Sequence, residues 1–120
     1  MVIEGAGSAT AEDLRETVRN GLYIGRIWYT YPVNGFSSGD FTCTVIGDSY
    51  VIRDGVIAEP VKPNTLRINH NTLKLLRDVV GVASERTGTI VWMSDQITYA
   101  PEIAVRGIHF DEIAEFMESV

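Results

Sequence analysis

The chain has 120 residues, of which 45% are hydrophobic and 22% are charged, and its net charge is −6 at pH 7. This composition excludes an intrinsically disordered protein, and the length suits one domain with one core, so we treat residues 1–120 as a single domain. The negative charge and the scattered basic residues argue against nucleic-acid binding through a basic face. No apolar run approaches the roughly 20 residues of a membrane span, and no signal peptide is visible at the N-terminus. We therefore expect a cytoplasmic protein that binds no membrane.

The first half of the chain predicts one helix followed by strands. Thr10 is the expected N-cap, because its hydroxyl can accept a backbone N–H, and acidic Asp13 follows three residues later. This helix should run to about Asn20, with Gly21 as its stop. Aromatic and β-branched residues then predict strands at Leu22–Tyr31, Phe41–Ile46, Tyr50–Ile52 and Val56–Val61.

Two details of these strands matter for function. The pair Asp54-Gly55 tolerates positive φ angles and predicts a tight hairpin. Regular alternation along Leu22–Tyr31 places Trp28 on one face and both Tyr29 and Tyr31 on the other. Both faces are largely apolar, which predicts a strand that is covered on both sides.

The second half predicts a strand at Thr65–Asn69 and a second helix that Asn69 or Asn71 caps. In that helix Leu73, Leu76 and Val80 would share one face, and Gly81 would end it. Further strands are expected at Thr89–Met93 and Glu102–Val105, and a short terminal helix at Asp111–Glu118 with Asp111 as its cap. The fold class is therefore α+β, with a twisted, mainly antiparallel sheet, two main helices and a possible short C-terminal helix.

The residues that could bind a metal or act as a nucleophile are few. The histidines are His70 and His109, and neither lies in an HExxH or HExxxH pattern, so we assign both a structural or surface role. Cys43, the one cysteine, lies in the middle of a strand, where a thiol behaves as a small apolar group. A reactive thiol would need a cationic neighbour, for which Arg26 and His70 are the candidates. We assign no catalytic residue and no metal ligand.

The ordered segments of the chain resemble the C-terminal domain of the TldD/PmbA family over roughly residues 5–108. The resemblance is carried by NGLYIGRI, Asn34, Gly39-Asp40-Phe41, SYVIRDGVIAEPVKPNTLRIN, LLRDVVGVASE and APEIAVRGI. It implies a peptidase-like protein, of a family once described as a modulator of DNA gyrase, in which a TldD-type and a PmbA-type (TldE) subunit pair. It also implies that zinc is held by an HExxxH helix of an N-terminal domain and completed by a Cys-Gly step in the C-terminal domain.

This sequence departs from that pattern at the metal. It has no HExxxH, and the segment that should carry the Cys-Gly step reads Met93-Ser94-Asp95-Gln96, where Asp95 is a weak substitute ligand. We therefore expect no cofactor in this chain, with zinc bound only if a partner domain completes the site. The expected partner is an HExxxH-bearing N-terminal domain or a paralogous TldD/PmbA subunit.

The expected function is to form part of a peptide cleft or partner interface of a metallopeptidase-type protein. Tyr29, Tyr31, Asp40 and Phe41 are the candidate substrate-binding residues. Two alternatives stay open: a stand-alone homo-oligomeric interaction module that uses the strand Leu22–Tyr31, and a small enzyme built around Cys43 and a nearby histidine. Whether the chain has enzymatic activity of its own is left open by the sequence.

Overall fold

The computed structural model describes residues 9–90 and 95–113, which form an α+β fold, as the sequence predicts. The helices are α1 (Ala11–Val18) and α2 (Thr72–Arg77). The strands are β1 (Gly21–Tyr23), β2 (Ile27–Pro32), β3 (Asp40–Val45), β4 (Tyr50–Arg53), β5 (Val56–Pro60), β6 (Leu66–Asn71), β7 (Val79–Ile90), β8 (Ile97–Val105) and β9 (Phe110–Glu112). All the strand pairs of this part of the chain are antiparallel.

These strands form three sheets rather than the single sheet that the sequence suggests. Sheet A has the order β1-β4-β5, sheet B has the order β2-β3-β6-β9, and sheet C is the pair β7-β8. The predicted hairpin at Asp54-Gly55 is confirmed: it joins β4 to β5, and both of its residues have positive φ angles. The predicted strand Leu22–Tyr31 is split, with its first residues in sheet A and the rest in sheet B.

The split occurs where the chain crosses from sheet A to sheet B. The register shows that residues 21–32 run antiparallel to residues 41–52 and are interrupted at residues 24–26 and 46–49. Within the interruption, the backbone N–H of Gly25 donates to Oγ of buried Ser49 at 3.1 Å. A Cβ at Gly25 would lie 1.9 Å from the carbonyl oxygen of Asp48. Only glycine therefore permits this close approach of the two chain segments.

Helix α1 begins as predicted. Thr10 Oγ1 accepts from Asp13 N–H at 3.2 Å, and Asp13 Oδ2 accepts from Thr10 N–H at 2.9 Å, which completes a capping box. The helix buries Leu14 against sheet C. Gly81, which we expected to end a helix, instead lies in β7, where its missing Cβ leaves room for Leu14.

Two helix predictions are wrong at one end, because long-range strand pairing takes over there. Helix α2 ends at Arg77 rather than near Gly81, since Val79 begins a twelve-residue strand and pairs with Val105. The first two residues of the predicted terminal helix, Asp111 and Glu112, instead lie in β9, which pairs with β6. Residues 114–118 of that prediction, and residues 91–93 of the predicted strand Thr89–Met93, lie outside the described residues. Over residues 9–90 and 95–113, no helix is long and apolar enough to cross a bilayer.

We predict that Gly25→Ala destabilises the domain by at least about 2–3 kcal/mol, because the new Cβ forces the crossing segments apart. Gly47 is the matched control: it lies in the facing segment, and a Cβ there meets nothing within 4 Å. Urea unfolding followed by circular dichroism measures both variants, and Gly47→Ala should stay within about 1 kcal/mol of the parent. Equal effects of the two substitutions would contradict the role given to Gly25.

Candidate functional site

Sheet B has one apolar face and one mixed face. On the inner face Cys43, Val45 and Ile68 are buried and form a core cluster, against which Phe41 and Phe110 pack. Because directly paired residues of antiparallel strands share a face, the register defines the other face as well. This outer face carries two rows of paired residues, Trp28–Thr44–Arg67–Asp111 and Tyr31–Thr42–Asn69.

Strand β2 lies at the edge of sheet B, and all six of its residues are exposed. This corrects the prediction of a strand covered on both sides. A β-bulge lies between Trp28 and Tyr31, which pair with Thr44 and Thr42, so three residue steps in β2 oppose two in β3. Trp28 and Tyr31 consequently share the outer face, whereas strict alternation would separate them.

The bulge gathers three aromatic side chains at this edge. Tyr29 has a φ of 49°, a conformation that non-glycine residues rarely adopt. Its ring centroid lies 4.7 Å from that of Trp28 and 6.4 Å from that of Tyr31, and the two tyrosine rings are nearly parallel. Trp28 Nε1 also donates to Asn64 Oδ1 at 3.1 Å, which fixes one end of the row. We name Trp28, Tyr29 and Tyr31 the aromatic edge.

Asp40 organises the loop that follows the aromatic edge. Its carboxylate accepts from Asn71 Nδ2 at 2.8 Å and from Asn34 Nδ2 at 3.2 Å. Asn71 Nδ2 also donates to the carbonyl oxygen of Ser38, and Asn71 Oδ1 accepts from the N–H groups of Leu73 and Lys74. The same asparagine therefore caps α2 and ties down the loop between β2 and β3. This confirms Asn71, not Asn69, as the cap of the second helix.

These hydrogen bonds also determine how Asp40 titrates. The amide of Asn71, and then that of Asn34, hold the pKa of Asp40 below its usual value, because they stabilise the charged form. The carboxylate therefore supports the loop at pH values above the ordinary aspartate range. That support is lost as the pH falls through the lowered pKa of Asp40.

A second polar group lies at the far end of the outer face. Asp111 accepts from Asn69 Nδ2 at 2.7 Å and contacts His109 Nε2 at 2.8 Å. The Asn69 amide and then His109 lower the pKa of Asp111. The expected helix cap at Asp111 is thus replaced by a cross-strand bond to β6, and His109 has the surface position that we assigned to it.

The structure brings together most of the predicted substrate-binding residues. Tyr29 and Tyr31 are exposed on the aromatic edge, and Asp40 lies across the ladder, where its carbonyl oxygen accepts from Val33 N–H at 2.8 Å. Phe41 lies on the inner face and packs against the core, so it supports the sheet from behind. The binding role of all four residues stays a prediction.

The polar part of the outer face was missed in the sequence. Thr42 and Thr44 form its floor, and Arg67 and Asn69 lie beside them on β6. The alternation of FTCTV gives a usable signal, since its threonines face away from Phe41, Cys43 and Val45. The register that joins them to β6 and β9 has no local signal.

No described group fits a metal site or an activated nucleophile. Cys43 is 1% exposed, and burial raises the pKa of its thiol, which favours the unreactive protonated form. Arg26 is paired with Asp48 at 2.9 Å. Within residues 9–90 and 95–113, no three His, Cys, Asp or Glu side chains lie close enough together to hold a metal ion. These described residues, Asp95 included, therefore do not fit a zinc centre.

A cavity of about 830 Å³ lies between the two core clusters. Its lining is mostly apolar and includes Leu14, Phe41 and Ile52. Its wall also holds a hydrogen bond, which Tyr23 Oη donates to Glu102 Oε1 at 2.9 Å and which raises the pKa of Tyr23. Residues of both clusters line this cavity, among them Ala104 of the first cluster and Cys43 and Ile68 of the second.

We predict that Asn34→Ala raises the pKa of Asp40, because one of its two amide donors is lost. NMR titration of the Asp40 carboxyl carbon measures the change, and acid loss of loop order should shift to higher pH with it. The pKa of Asp111, which has other donors, serves as the internal control and should not move. An unchanged pKa of Asp40 would refute the assignment.

Comparison with known proteins identifies the fold. Residues 1–112 match the family model described as the PmbA/TldA metallopeptidase C-terminal domain. A proposed modulator of a DNA gyrase from Thermotoga maritima is 24% identical, with a TM-score of 0.62, and the match covers 88% of this chain and 22% of that one. A proposed gyrase modulator from Bacteroides thetaiotaomicron is 20% identical, with a TM-score of 0.72, and the match covers 93% of this chain and 23% of that one. TldE from Thermococcus kodakarensis is 20% identical, with a TM-score of 0.71, and the match covers 91% of this chain and 23% of that one.

The chain thus spans less than a quarter of each of these solved proteins. None of the curated proteins compared with it matches. Since the family model covers nearly the whole chain, the chain belongs to the PmbA/TldD family and corresponds to its C-terminal domain.

Proposed function

We propose that this domain forms one wall of the peptide cleft of a PmbA/TldD-type metallopeptidase and contributes no catalytic group itself. An extended peptide would lie along β2 and pair with its outer edge through main-chain hydrogen bonds. The aromatic edge would hold the side chains of the peptide, whereas Thr44 and the hydroxyl of Thr42 are buried beneath it and would make no contact with the peptide. The geometry of β2 carries this proposal.

The supporting observation is that, among residues 9–90 and 95–113, no strand pairs with the outer edge of β2, and all six of its residues are exposed. In most sheets an open edge is shortened, charged or covered, because it invites pairing with other chains. Here it instead carries Trp28, Tyr29 and Tyr31, of which both tyrosines are more than half exposed. Aromatic side chains of this kind are typical of binding surfaces. The bulge limits regular pairing with a peptide to a short stretch, which favours weak and sequence-tolerant binding.

The hydrolytic chemistry would come from elsewhere. The whole chain has two histidines and one cysteine as nitrogen and sulfur ligands, and Cys43 is buried with a raised pKa. Zinc binding to that thiol would require both its deprotonation and its exposure. An HExxxH-bearing domain or a paralogous subunit would therefore supply the metal, and we propose that the two act together in the cytoplasm, where a lone cysteine stays reduced.

The alternative is a homo-oligomeric interaction module without activity. The same exposed strand favours it, since two copies of β2 could pair edge to edge. Peptide binding and self-association through β2 would compete for one surface. Two results together would support this alternative: the parent chain forms dimers in sedimentation experiments that Tyr31→Thr loses, and the parent chain binds no peptide.

We predict that a capped hexapeptide of alternating Thr and Val binds weakly, with a dissociation constant of about 0.1–1 mM. Its binding should shift the amide resonances of residues 27–33 in NMR titrations. Tyr31→Thr should weaken binding several-fold, because aromatic contact area is lost while strand propensity is kept.

Tyr99→Thr is the matched control, since Tyr99 is an exposed strand tyrosine of sheet C. It should bind the hexapeptide as the parent does. A second control is a peptide with two alternate prolines, which cannot donate the main-chain hydrogen bonds and should not bind. If the shifts fall elsewhere, or if no shift at residues 27–33 occurs up to about 1 mM peptide, the proposed cleft is wrong.

We predict that the isolated chain binds no zinc tightly in calorimetric titrations, because no three His, Cys, Asp or Glu side chains within residues 9–90 and 95–113 lie close enough together to hold the ion. His109→Ala and Cys43→Ala should leave the weak residual heats unchanged. Binding of one zinc ion per chain at a dissociation constant below about 1 μM would instead mean that a complete site had been overlooked.

A further inference from the structure

The sequence contains two Asn-Gly pairs, Asn20-Gly21 and Asn34-Gly35. Asparagine is a thermolabile residue, because the main-chain nitrogen of the next residue can attack its side-chain amide. Glycine in that next position leaves the nitrogen most accessible, since it has no Cβ. The two pairs are alike in this local chemistry, and the structure holds them very differently.

The pair Asn20-Gly21 is held in place at the start of β1. The side-chain oxygen Oδ1 of Asn20 accepts from the backbone N–H of Asp54 at 3.2 Å. Gly21 pairs with Ile52 in sheet A, and a Cβ at Gly21 would lie 2.8 Å from Val18 Cγ1, so the space beside its backbone is occupied. The side chain of Asn20 can therefore reach the nitrogen of Gly21 only after this part of sheet A opens.

The pair Asn34-Gly35 is open by comparison. Both residues are exposed and have positive φ angles, of 59° and 87°. A Cβ at Gly35 would meet nothing within 4 Å, and the N–H of Gly35 donates to no atom of residues 9–90 and 95–113. This nitrogen can therefore attack without the loss of a main-chain hydrogen bond. The side chain of Asn34 is restrained by the 3.2 Å hydrogen bond from its Nδ2 to Asp40 Oδ2.

We propose that Asn34 is a site of spontaneous deamidation in the folded domain, whereas Asn20 is protected. The main-chain nitrogen of Gly35 loses its proton to solvent and forms a bond to Cγ of Asn34. The bond from Cγ to Nδ2 breaks, and the amide nitrogen takes up a proton from solvent and leaves as ammonia. Water then opens the succinimide ring, at Cγ to give aspartate or at the main-chain carbonyl to give isoaspartate. The reaction needs no reagent besides water.

Deamidation reverses the interaction between position 34 and Asp40. The amide donor is replaced by a carboxylate, which can only accept hydrogen bonds. Two neighbouring carboxylates repel each other, so the product raises the pKa of Asp40 and loosens the loop between β2 and β3. Asn20 differs in kind, because it uses its oxygen as an acceptor, and a carboxylate at that position still accepts from Asp54 N–H.

Mass spectrometry of tryptic peptides measures both sites in one sample of the parent chain, incubated at neutral pH below its unfolding transition. Trypsin places Asn20 and Asn34 in different peptides, because Arg26 lies between them. Deamidation appears as the mass increase from NH₂ to OH, and a sample digested at time zero corrects for deamidation during digestion. We expect Asn34 to react at least about tenfold faster than Asn20, since Asn20 reacts only from locally opened states.

Incubation in urea shows whether the fold causes this difference. The two sites should then react at similar rates, with Asn20 accelerated more than Asn34. Equal rates in the folded chain would overturn the proposal, as would a folded chain that stays unmodified at Asn34 while the urea sample reacts fully. A difference that persists in urea would also overturn it, because the local sequence would then be the cause.

The variant Asn34→Asp carries the aspartate product from the start and tests its consequence. NMR titration should show a raised pKa of Asp40, and amide exchange should become faster at Val33, whose N–H donates to the carbonyl oxygen of Asp40 at 2.8 Å. Asn20→Asp is the matched control and should change neither. If Asn34→Asp also changes neither, the loosening of the loop is refuted. These measurements use no peptide, so their outcome does not depend on whether β2 binds one.

Discussion

The contact between Gly25 and the segment that ends at Ser49 determines how the rest of the domain is arranged. There the chain leaves sheet A and enters sheet B while it stays antiparallel to one partner segment, residues 41–52. The N–H of Gly25 reaches a buried hydroxyl, and the carbonyl oxygen of Asp48 occupies the space that any side chain would need. Because β1 and β2 are held on either side of this point, it also decides which residues of the strand reach the open edge of sheet B.

The outer face depends on this edge and on a polar anchor beside it. Asp40 and Asn71 join the loop after β2 to the first turn of α2, so one hydrogen-bonded group orders a loop, a helix cap and a strand end together. These hydrogen bonds tie the loop that follows the aromatic edge to β6 and α2, although the rings themselves are exposed. If a peptide binds here, as we propose, the order of this loop reduces the conformational entropy that binding costs.

The domain presents two separate exposed surfaces of different character. The aromatic edge combines rings with main-chain groups that can pair, whereas the exposed ends of β7 and β8 carry Ile90, Ile97 and Tyr99. The first surface is the one on which the peptide-binding proposal rests. The domain corresponds to less than a quarter of the length of its solved relatives, and residues 9–90 and 95–113 hold no cluster of His, Cys, Asp or Glu side chains that could bind a metal ion. In our proposal the reacting groups come from another domain or subunit.

The sequence by itself determined the features that rest on neighbouring residues. The capping box of Thr10 and Asp13, the hairpin at Asp54-Gly55, the α+β class and the family followed from it, because caps and tight turns need only a few adjacent groups. The tertiary structure alone decided three features: the division into three sheets, the bulge that brings Trp28 and Tyr31 to one face, and the strands that replace residues 79–81 of the predicted second helix and the first two residues of the predicted terminal helix. In each of these cases the deciding hydrogen bonds join residues far apart in the chain, as Val79 with Val105 or Ile68 with Phe110. Local propensity contributes less free energy than a ladder of strand hydrogen bonds and the packing that accompanies it. The partner strand therefore determines the secondary structure of the segment.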